Sequence, residues 1–232
     1  MADTTTSTNH SQLLWDSWNG EGVPRYPSEK VIQFALRNFG ADRRPVTRTL
    51  DLGCGNGANT CFLALEGFDV VGVDFSRVAL ANAASRLESA GLKAELVQAS
   101  VDEIDFEAGS FDLVICTGVL ECTGKEVARK TVVLVSEILA KGGRAMFLFA
   151  SDKDFRITEG MDESLGLYGY SREEVDELFA GCFVKVDVDR SGSCLSCIQA
   201  QRAQRQYHRI RAQVSPLKRQ PFLVDAHAER FA

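Results

Sequence analysis

The stretch TLDLGCGNG (Thr49–Gly57) decides the fold, because it joins a buried β-type run to a helical pattern through three glycines. The run Thr47–Leu52 leads into the glycines, and apolar residues recur at helical spacing over Asn59–Glu66 behind them. Glycine lacks a Cβ, so the backbone can turn tightly here and a ligand can approach the main chain closely. The pattern predicts a strand, a binding loop and a helix in direct succession.

Strand and helix patterns alternate along the rest of the chain. Further strands are predicted at Asp69–Asp74, Ala94–Gln98, Phe111–Cys116 and Arg144–Phe149, and helices at Ser28–Phe39, from the Ser76 cap to Gly91, at Glu126–Ala140 and behind the capping box Ser171–Glu174. Strands separated by helices indicate a doubly wound α/β domain with a mostly parallel sheet. The runs Phe183–Asp189 and Cys194–Gln199 are too close for a crossover helix, so we expect an antiparallel β-hairpin at one sheet edge.

Composition and charge exclude several classes of protein. The 232 residues are 45% hydrophobic and 25% charged, which is typical of a globular chain and not of a disordered one. No apolar run approaches the roughly 18 residues of a membrane span, and the first ten residues lack the pattern of a secretory signal. The net charge of −6 argues against attraction of the whole molecule to nucleic acid or to an anionic membrane. Seven cysteines without an export signal lead us to expect reduced thiols and a cytoplasmic location.

Two carboxylates indicate which ligand the glycine loop takes. The glycines also fit the dinucleotide fingerprint G-x-G-x-x-G/A, but Asp51 stands just before the turn and would repel a pyrophosphate. The same carboxylate would favour an ammonium group. Asp74 ends the second predicted strand, where a carboxylate can accept two hydrogen bonds from a ribose diol. A ribose together with positive charge points to S-adenosylmethionine, which carries an ammonium and a sulfonium.

Four motifs in order resemble those of class I S-adenosylmethionine-dependent methyltransferases: TLDLGCGNG, VVGVDFS, GSFDLVICTGVLE and LAKGG. The resemblance covers roughly residues 47–200. It implies a Rossmann-like, seven-stranded sheet that ends in the antiparallel hairpin, and an enzyme that uses S-adenosylmethionine as methyl donor. Carried over to this chain, it implies that Asp51 and Gly53 hold the methionine end of the donor. Gly55 and Gly57 would line its adenosyl side, and Asp74 would hold both ribose hydroxyls.

The resemblance also implies contacts to the adenine and to the methionine moiety. Phe75 would lie on the adenine ring, and Cys116 would contribute backbone beside the methionine moiety. Such families commonly place an acidic residue after the third strand, where this chain has Ser100 followed by Val101. A serine accepts only an uncharged hydrogen bond, and a shift of the loop could bring Asp102 to the adenine instead.

The segment before the domain is rich in aromatic residues. Trp15 and Trp18, followed by Arg25 and Tyr26, precede the predicted helix Ser28–Phe39. Aromatic faces near a sulfonium would stabilise it through cation–π attraction, and Arg25 could pair with the methionine carboxylate. The aromatic residues could equally pin the arm to the sheet, so a lid and a purely structural arm both remain open.

Candidates for the chemistry of transfer are few. The three histidines stand at positions 10, 208 and 227, outside the predicted domain body. Glu121, in the loop after the fourth strand, is the best candidate for a general base, and a solvated or donor-contacting carboxylate is the alternative. We expect no metal site, because Cys194 and Cys197 are a lone pair that points to opposite faces of a strand.

We expect three parts: an N-terminal arm and helix over residues 1–46, the S-adenosylmethionine-binding domain over 47–201, and a basic tail over 202–232. The tail holds seven Lys/Arg and two Asp/Glu. The expected function is methyl transfer to an oxygen or nitrogen nucleophile of a small molecule, without nucleic-acid or membrane partners, in a chain that could form a homodimer. The alternatives are an RNA methyltransferase that grips its substrate with the tail and an S-adenosylmethionine-binding regulator without turnover.

Overall fold

The computed structural model describes residues 13–20, 24–158, 166–191 and 194–198. The predicted basic tail therefore lies outside the described residues. The strands are β1 (Arg48–Leu52), β2 (Asp69–Asp74), β3 (Glu95–Gln98), β4 (Phe111–Thr117), β5 (Leu139–Ala150), β6 (Val188–Ser191) and β7 (Cys194–Ile198). The helices are α1 (13–20), α2 (Glu29–Asn38), α3 (Ala58–Leu65), α4 (Arg77–Ser89), α5 (Gly124–Ile138), α6 (Phe155–Thr158) and α7 (Arg172–Phe179).

The strands form one sheet in the order β3-β2-β1-β4-β5-β7-β6. The strands β1 to β5 run parallel, β7 runs antiparallel to β5, and β6 runs antiparallel to β7. The prediction of an α/β fold with a mostly parallel sheet is confirmed. The strand order reverses direction between β1 and β4, and ligands of such sheets bind outside the carboxyl ends of the strands at that point.

Helices cover both faces of the sheet. On one face, α2 buries Val31 and Phe34 in a cluster with Leu63 of α3 and the β4 residue Ile115. On the other, α5 and α7 pack against strand residues in a second cluster, which includes Val132, Val135, Val175, Phe179, Leu50, Val114 and Phe147. Because both faces are buried, the central strands are almost continuously apolar, as expected for a parallel sheet.

Two helix starts follow the sequence, and one does not. Ser76 caps α4, since its hydroxyl accepts a hydrogen bond from the backbone N–H of Ala79. Ser171 and Glu174 form the predicted capping box of α7. Ser28 occupies the N-cap position of α2 but makes no side-chain cap bond; its backbone N–H donates instead to Asn59 Oδ1 at 3.0 Å.

Two predicted strand boundaries were wrong. Strand β5 begins at Leu139, before Gly142–Gly143, because Leu139 pairs with Phe111 across a register shift in β4–β5. Residues 183–187, predicted as part of a strand, lie outside β6. Phe183 packs on Phe147 and Phe179, with ring centroids 6.2 and 6.0 Å apart, so the aromatic contacts hold the segment against the core instead of in the sheet.

The capping box gives a first testable prediction. Ser171→Ala removes the acceptor for Glu174 N–H and should lower the free energy of unfolding by about 1 kcal/mol, measured by urea denaturation. The matched control is Ser85→Ala, the same change at an exposed position inside α4, which should stay within about 0.5 kcal/mol of the wild type. Equal effects of the two changes would contradict a stabilising cap.

Candidate functional site

The glycine loop, residues 53–57, lies at the carboxyl edge of the sheet and is tied to the end of β2. The backbone N–H groups of Gly53 and Cys54 both donate to the Val73 carbonyl, at 2.8 and 2.9 Å. The N–H of Gly55 donates to Asp74 Oδ2 at 2.9 Å. The loop after β1 is therefore held by the neighbouring strand, and the two sequence-predicted carboxylates, Asp51 and Asp74, lie near each other at this edge of the sheet. We call the region between these carboxylates and the open side of Gly55 the cleft.

Two of the glycines are required by close packing. Gly53 and Gly57 have φ angles of +73° and +77°, and Cβ atoms there would lie 2.3 Å from a methyl of Val119 and 2.8 Å from the Cβ of Ala83. Gly55 differs, because the nearest atom to its added Cβ would be Asn19 Oδ1 at 4.0 Å. The middle of the loop thus faces open space, which leaves room for a ligand against the main chain.

Asp51 is a buried carboxylate with one unsatisfied oxygen. Its side chain is 1% exposed, Oδ2 accepts a 2.6 Å hydrogen bond from the hydroxyl of Thr60, and Oδ1 has no protein partner. Burial raises the pKa of Asp51 to about 6; the bond from Thr60 opposes this rise, and the charge of Asp74 adds to it. A ligand that brings a cationic donor to Oδ1 would satisfy the oxygen and favour the ionised form.

Asp74 is arranged to accept further hydrogen bonds. Its Oδ1 accepts from the backbone N–H of Ser76 at 2.9 Å and its Oδ2 from Gly55. Each carboxylate oxygen can accept two bonds, so each keeps capacity for one ligand hydroxyl. Burial raises the pKa of Asp74, backbone donors from Ser76, Gly55 and Phe75 lower it, and the charge of Asp16 raises it. The paired capacity suits a diol such as ribose.

The arm before the domain lies against the glycine loop and α4. The Ser76 hydroxyl donates to Asp16 Oδ1, and Asn82 Nδ2 donates to the carbonyl of Asn19 at 3.0 Å. Asn56 Nδ2 donates to the Pro24 carbonyl at 2.9 Å. Side chains of the domain thus hold the arm largely through its backbone carbonyls, on the side of the loop where Gly55 is open.

Trp18, Arg25 and Tyr26 of the arm are exposed, and Trp15 is half-buried. Trp15 and Trp18 pack edge to face, with ring centroids 5.7 Å apart, and Trp18 is 39% exposed. The Arg25 guanidinium lies over the Tyr26 ring at 5.7 Å from its centroid, and Tyr26 is 73% exposed. The Arg25 carbonyl accepts a 2.7 Å bond from Arg86. Donor contacts by Arg25 and Tyr26 stay predictions, as does a lid role for the arm.

The arm also reaches the end of β4. The Asn59 side chain accepts from Ser28 N–H and donates to Thr117 Oγ1 at 3.2 Å. One asparagine of α3 therefore joins the segment that follows Tyr26 to the last residue of β4. This connection brings the exposed Tyr26 region and the carboxyl end of β4 to one side of the cleft.

The residues assigned to the adenine lie beyond β2 and β3. The Phe75 carbonyl accepts a 3.1 Å bond from Gln98 Nε2, which joins the two strand ends. The Ser100 hydroxyl donates to Asp102 Oδ1 at 2.6 Å, and Val101 packs in the core. Because Ser100 and Asp102 are bonded to each other, the serine and the acidic residue form one polar unit, and its role toward adenine stays a prediction.

Cys116 can offer only its backbone to the cleft. It pairs with Leu52 in β1–β4, and its thiol belongs to the apolar core. Burial raises the pKa of this thiol well above its usual range, with the charges of Glu121 and Asp51 adding to the rise, so it is not a nucleophile. This agrees with the expected backbone role, which itself stays a prediction.

Glu121 is buried in the short 3-10 helix Leu120–Cys122 and is not a solvated loop carboxylate. It is 3% exposed, and its Oε2 has no protein partner. Burial raises its pKa to about 7; Arg156 lowers the pKa and Asp154 raises it. The segment is fixed by the bond from Tyr168 N–H to the Glu121 carbonyl at 2.8 Å. A carboxylate with this pKa can take up or release a proton near neutrality.

Sequence reasoning missed three contributors to the cleft, namely Asp16, Asn19 and Thr60. Asp16 and Asn19 stand in the arm without a recognisable motif, and only the fold brings them to Ser76 and Gly55. Thr60 is on α3, and its contact with Asp51 depends on the strand–loop–helix geometry. The spacing of nine residues between Asp51 and Thr60 across a glycine loop was the one available signal.

In the part of the chain that the structure describes, no cluster of three or more His, Cys, Asp or Glu residues could hold a metal ion. None of the described helices is both long and apolar enough to cross a membrane.

Comparisons with known proteins find methyltransferases. Residues 49–143 match the family model described as a methyltransferase domain. A ubiquinone biosynthesis O-methyltransferase of Aromatoleum aromaticum is 35% identical over 101 residues, which are 43% of this chain and 42% of the relative. The EEF1A lysine methyltransferase 4 of Mus musculus is 33% identical over 128 residues, 49% of each chain. The chain spans about half the length of the curated relatives that it matches.

Solved structures share the fold. Magnesium protoporphyrin IX methyltransferase from Synechocystis, determined with bound SAH, has a TM-score of 0.65 at 16% identity and covers 86% of this chain and 100% of its own. A SAM-dependent methyltransferase from Methanosarcina mazei has a TM-score of 0.61 at 19% identity, over 76% of this chain and 98% of its own. At these identities the likeness shows the architecture of the chain.

The buried carboxyls predict an unusual pH dependence of stability. Burial raises the pKa of Glu121 from 4.5 to about 7, so the folded state binds this proton more tightly than the unfolded state does. This contribution is fully present below about pH 4.5 and is lost as the pH rises to 7. Between pH 4.5 and 7, the wild type should therefore lose about 1–3 kcal/mol more unfolding free energy than Glu121→Gln does. Urea titrations at several pH values measure this difference.

The control for this prediction is Glu103→Gln, an exposed glutamate, which should follow the wild-type pH profile. A Glu121→Gln profile parallel to that of the wild type would contradict the raised pKa.

Proposed function

We propose that the chain carries a class I S-adenosylmethionine-dependent methyltransferase domain and that it transfers the donor's methyl group to an oxygen or nitrogen nucleophile of a small molecule. The observation that carries the proposal is the pair of buried carboxylates, Asp51 and Asp74, on either side of a glycine loop that is open at Gly55. Asp51 offers an unsatisfied oxygen to a cation, and Asp74 offers two acceptor positions to a diol. S-adenosylmethionine has both groups, so the residues present fit it.

Bound S-adenosylmethionine would supply an electrophilic methyl group on a sulfonium. The chain's task is then to bind, to orient and to exclude water. We assign the methionine end to Asp51 and Gly53, with backbone at Cys116. We assign the ribose to Asp74, and the adenosyl side to a further set made up of Gly55, Gly57, Phe75, Ser100 and Val101. Arg25 and Tyr26 are assigned to the mouth of the cleft, where the arm meets the glycine loop.

We assign to Glu121 the role of proton acceptor. Its burial, its unpartnered Oε2 and its pKa of about 7 support this role, because ionised and protonated forms are then both populated near neutrality. An acceptor hydroxyl or ammonium must lose a proton on or before methyl transfer. The carboxylate would take that proton within a site shielded from water, beside the ion pair of Arg156 and Asp154.

The small-molecule acceptor is supported by the names of several relatives, which are ubiquinone biosynthesis O-methyltransferases. We further propose that residues 47–201 form the catalytic domain, that the antiparallel pair β6–β7 completes its sheet, and that residues 1–46 and 202–232 are appended segments. The proposed function is compatible with a homodimer.

The decisive experiment offers purified protein and methyl-labelled S-adenosylmethionine to a small-molecule extract, with total RNA and protein fractions offered in parallel. Label in one metabolite pool supports the proposal. Label confined to RNA or to protein would overturn the small-molecule acceptor, and donor binding without any label would indicate a regulator.

The ribose assignment gives a quantitative prediction. Asp74→Ala removes an ionised acceptor for ribose hydroxyls, so the binding free energy of S-adenosylmethionine should weaken by about 1–3 kcal/mol. In calorimetry, its dissociation constant should then rise roughly 5- to 150-fold. Asp69→Ala, at the exposed amino end of the same strand, is the control and should bind as the wild type does. Wild-type affinity in Asp74→Ala would remove this carboxylate from the site.

The base assignment predicts a change in turnover without a change in donor binding. Glu121→Gln keeps the shape of the side chain but cannot accept the proton, so kcat/KM for the identified acceptor should fall by about 10²–10⁴-fold. The dissociation constant of S-adenosylmethionine should stay within about twofold. An unaltered kcat/KM would show that Glu121 has no part in proton transfer.

A further inference from the structure

One buried serine joins the arm to the carboxylate assigned to ribose. Ser76 is completely buried, and its backbone N–H donates to Asp74 Oδ1 at 2.9 Å. Its hydroxyl accepts from Ala79 N–H at 3.1 Å as the cap of α4, and donates to Asp16 Oδ1 in the arm. Ser76 therefore uses its hydroxyl for the arm and its main chain for Asp74, so the position of α1 is linked to the geometry of the cleft.

Docking of the arm brings a third carboxylate to the cleft. The charge of Asp16 raises the pKa of Asp74, and the charge of Asp74 raises the pKa of Asp51, in both cases in addition to the larger effect of burial. Like charges that are partly or fully buried repel one another unless a cation lies among them. Positive charge in the cleft would therefore offset the electrostatic cost of docking Asp16 beside Asp74.

Other contacts of the arm do not depend on charge in this way. Asn82 and Asn56 donate from neutral amides to the carbonyls of Asn19 and Pro24. Arg86 is charged but also bonds to arm carbonyls, those of Pro24 and Arg25. Among these contacts, the bond from Ser76 to Asp16 is the one that places a negative charge of the arm beside Asp74, whose own charge acts on Asp51.

We propose that Asp16 is a positioning residue that makes arm docking selective for the cationic methyl donor over its neutral thioether product. The proposal rests on the proposed function. Methyl transfer breaks the methyl–sulfur bond and leaves the electron pair on sulfur, while the new bond forms to the acceptor. The ligand therefore keeps its ammonium group and its ribose but loses the positive charge on sulfur, so its attraction to the carboxylates of the cleft and of the arm weakens and the arm is released together with the product.

The test substitutes Asp16→Asn and compares two ligands by calorimetry. The asparagine keeps the size of the side chain and an oxygen acceptor for the Ser76 hydroxyl, so only the charge is lost. The dissociation constant of S-adenosylmethionine should rise about 3- to 10-fold, the scale of one unit charge acting at short range through partly hydrated protein. That of S-adenosylhomocysteine should change less than twofold. Asp69→Asn, at the amino end of β2 and so at the opposite end of the strand from Asp74, should leave both dissociation constants unchanged.

A second measurement reports on the arm itself. The only two tryptophans of the chain, Trp15 and Trp18, flank Asp16, so intrinsic tryptophan fluorescence reports on α1 alone. Emission of the wild type saturated with S-adenosylmethionine should differ from emission with S-adenosylhomocysteine. The two spectra should converge in Asp16→Asn.

Each outcome decides between the two proposals. If the ratio of the two dissociation constants is the same in Asp16→Asn as in the wild type, the proposed role of Asp16 is overturned. This includes the case in which the variant loses affinity for both ligands equally. Failure of the wild-type protein to bind either ligand would instead overturn the proposed function, which the Asp16 comparison presupposes.

Discussion

The hydrogen bond from Gly55 N–H to the Asp74 carboxylate, 2.9 Å long, is the interaction on which the cleft depends. It joins the loop after β1 to the end of the neighbouring strand β2, next to the position between β1 and β4 where the strand order reverses. The loop can close to this distance because glycines at 53 and 57 allow left-handed backbone and close packing. Together with the bonds from Gly53 and Cys54 to the Val73 carbonyl, this bond fixes the loop beside the carboxylate.

The cleft contains two buried carboxylates whose pKa values are not lowered by any neighbouring basic side chain that the structure describes. Asp51 and Asp74 are buried near each other, and the pKa of each is raised chiefly by burial. A protein keeps such groups at a cost in stability, and sites where burial and like charges raise a pKa are commonly functional. Under the proposed function, a cationic ligand with hydroxyl donors would complete the contacts of both carboxylates, so the burial that weakens the fold at neutral pH would also favour ligand binding.

The sequence predicted the local parts of this arrangement and missed the long-range ones. The glycine loop, the carboxylates and the Ser76 cap were predictable, because each depends on a few neighbouring residues. The contact of Asp16 with Ser76 spans 60 residues, and no periodicity encodes it. The burial of Glu121 likewise depends on distant elements that cover it, including the segment at Tyr168, whose N–H bonds to the Glu121 carbonyl. The strand prediction over residues 183–187 is wrong because aromatic core packing and strand pairing favour the same residue types.

The most direct test of this account is calorimetric titration of the wild-type protein with S-adenosylmethionine between about pH 5 and 8, with NAD as the competing ligand. The account predicts saturable binding of S-adenosylmethionine that weakens as the pH falls through about 6, where Asp51 takes up a proton, and release of protons on binding at that pH. Binding of NAD without binding of S-adenosylmethionine would contradict it.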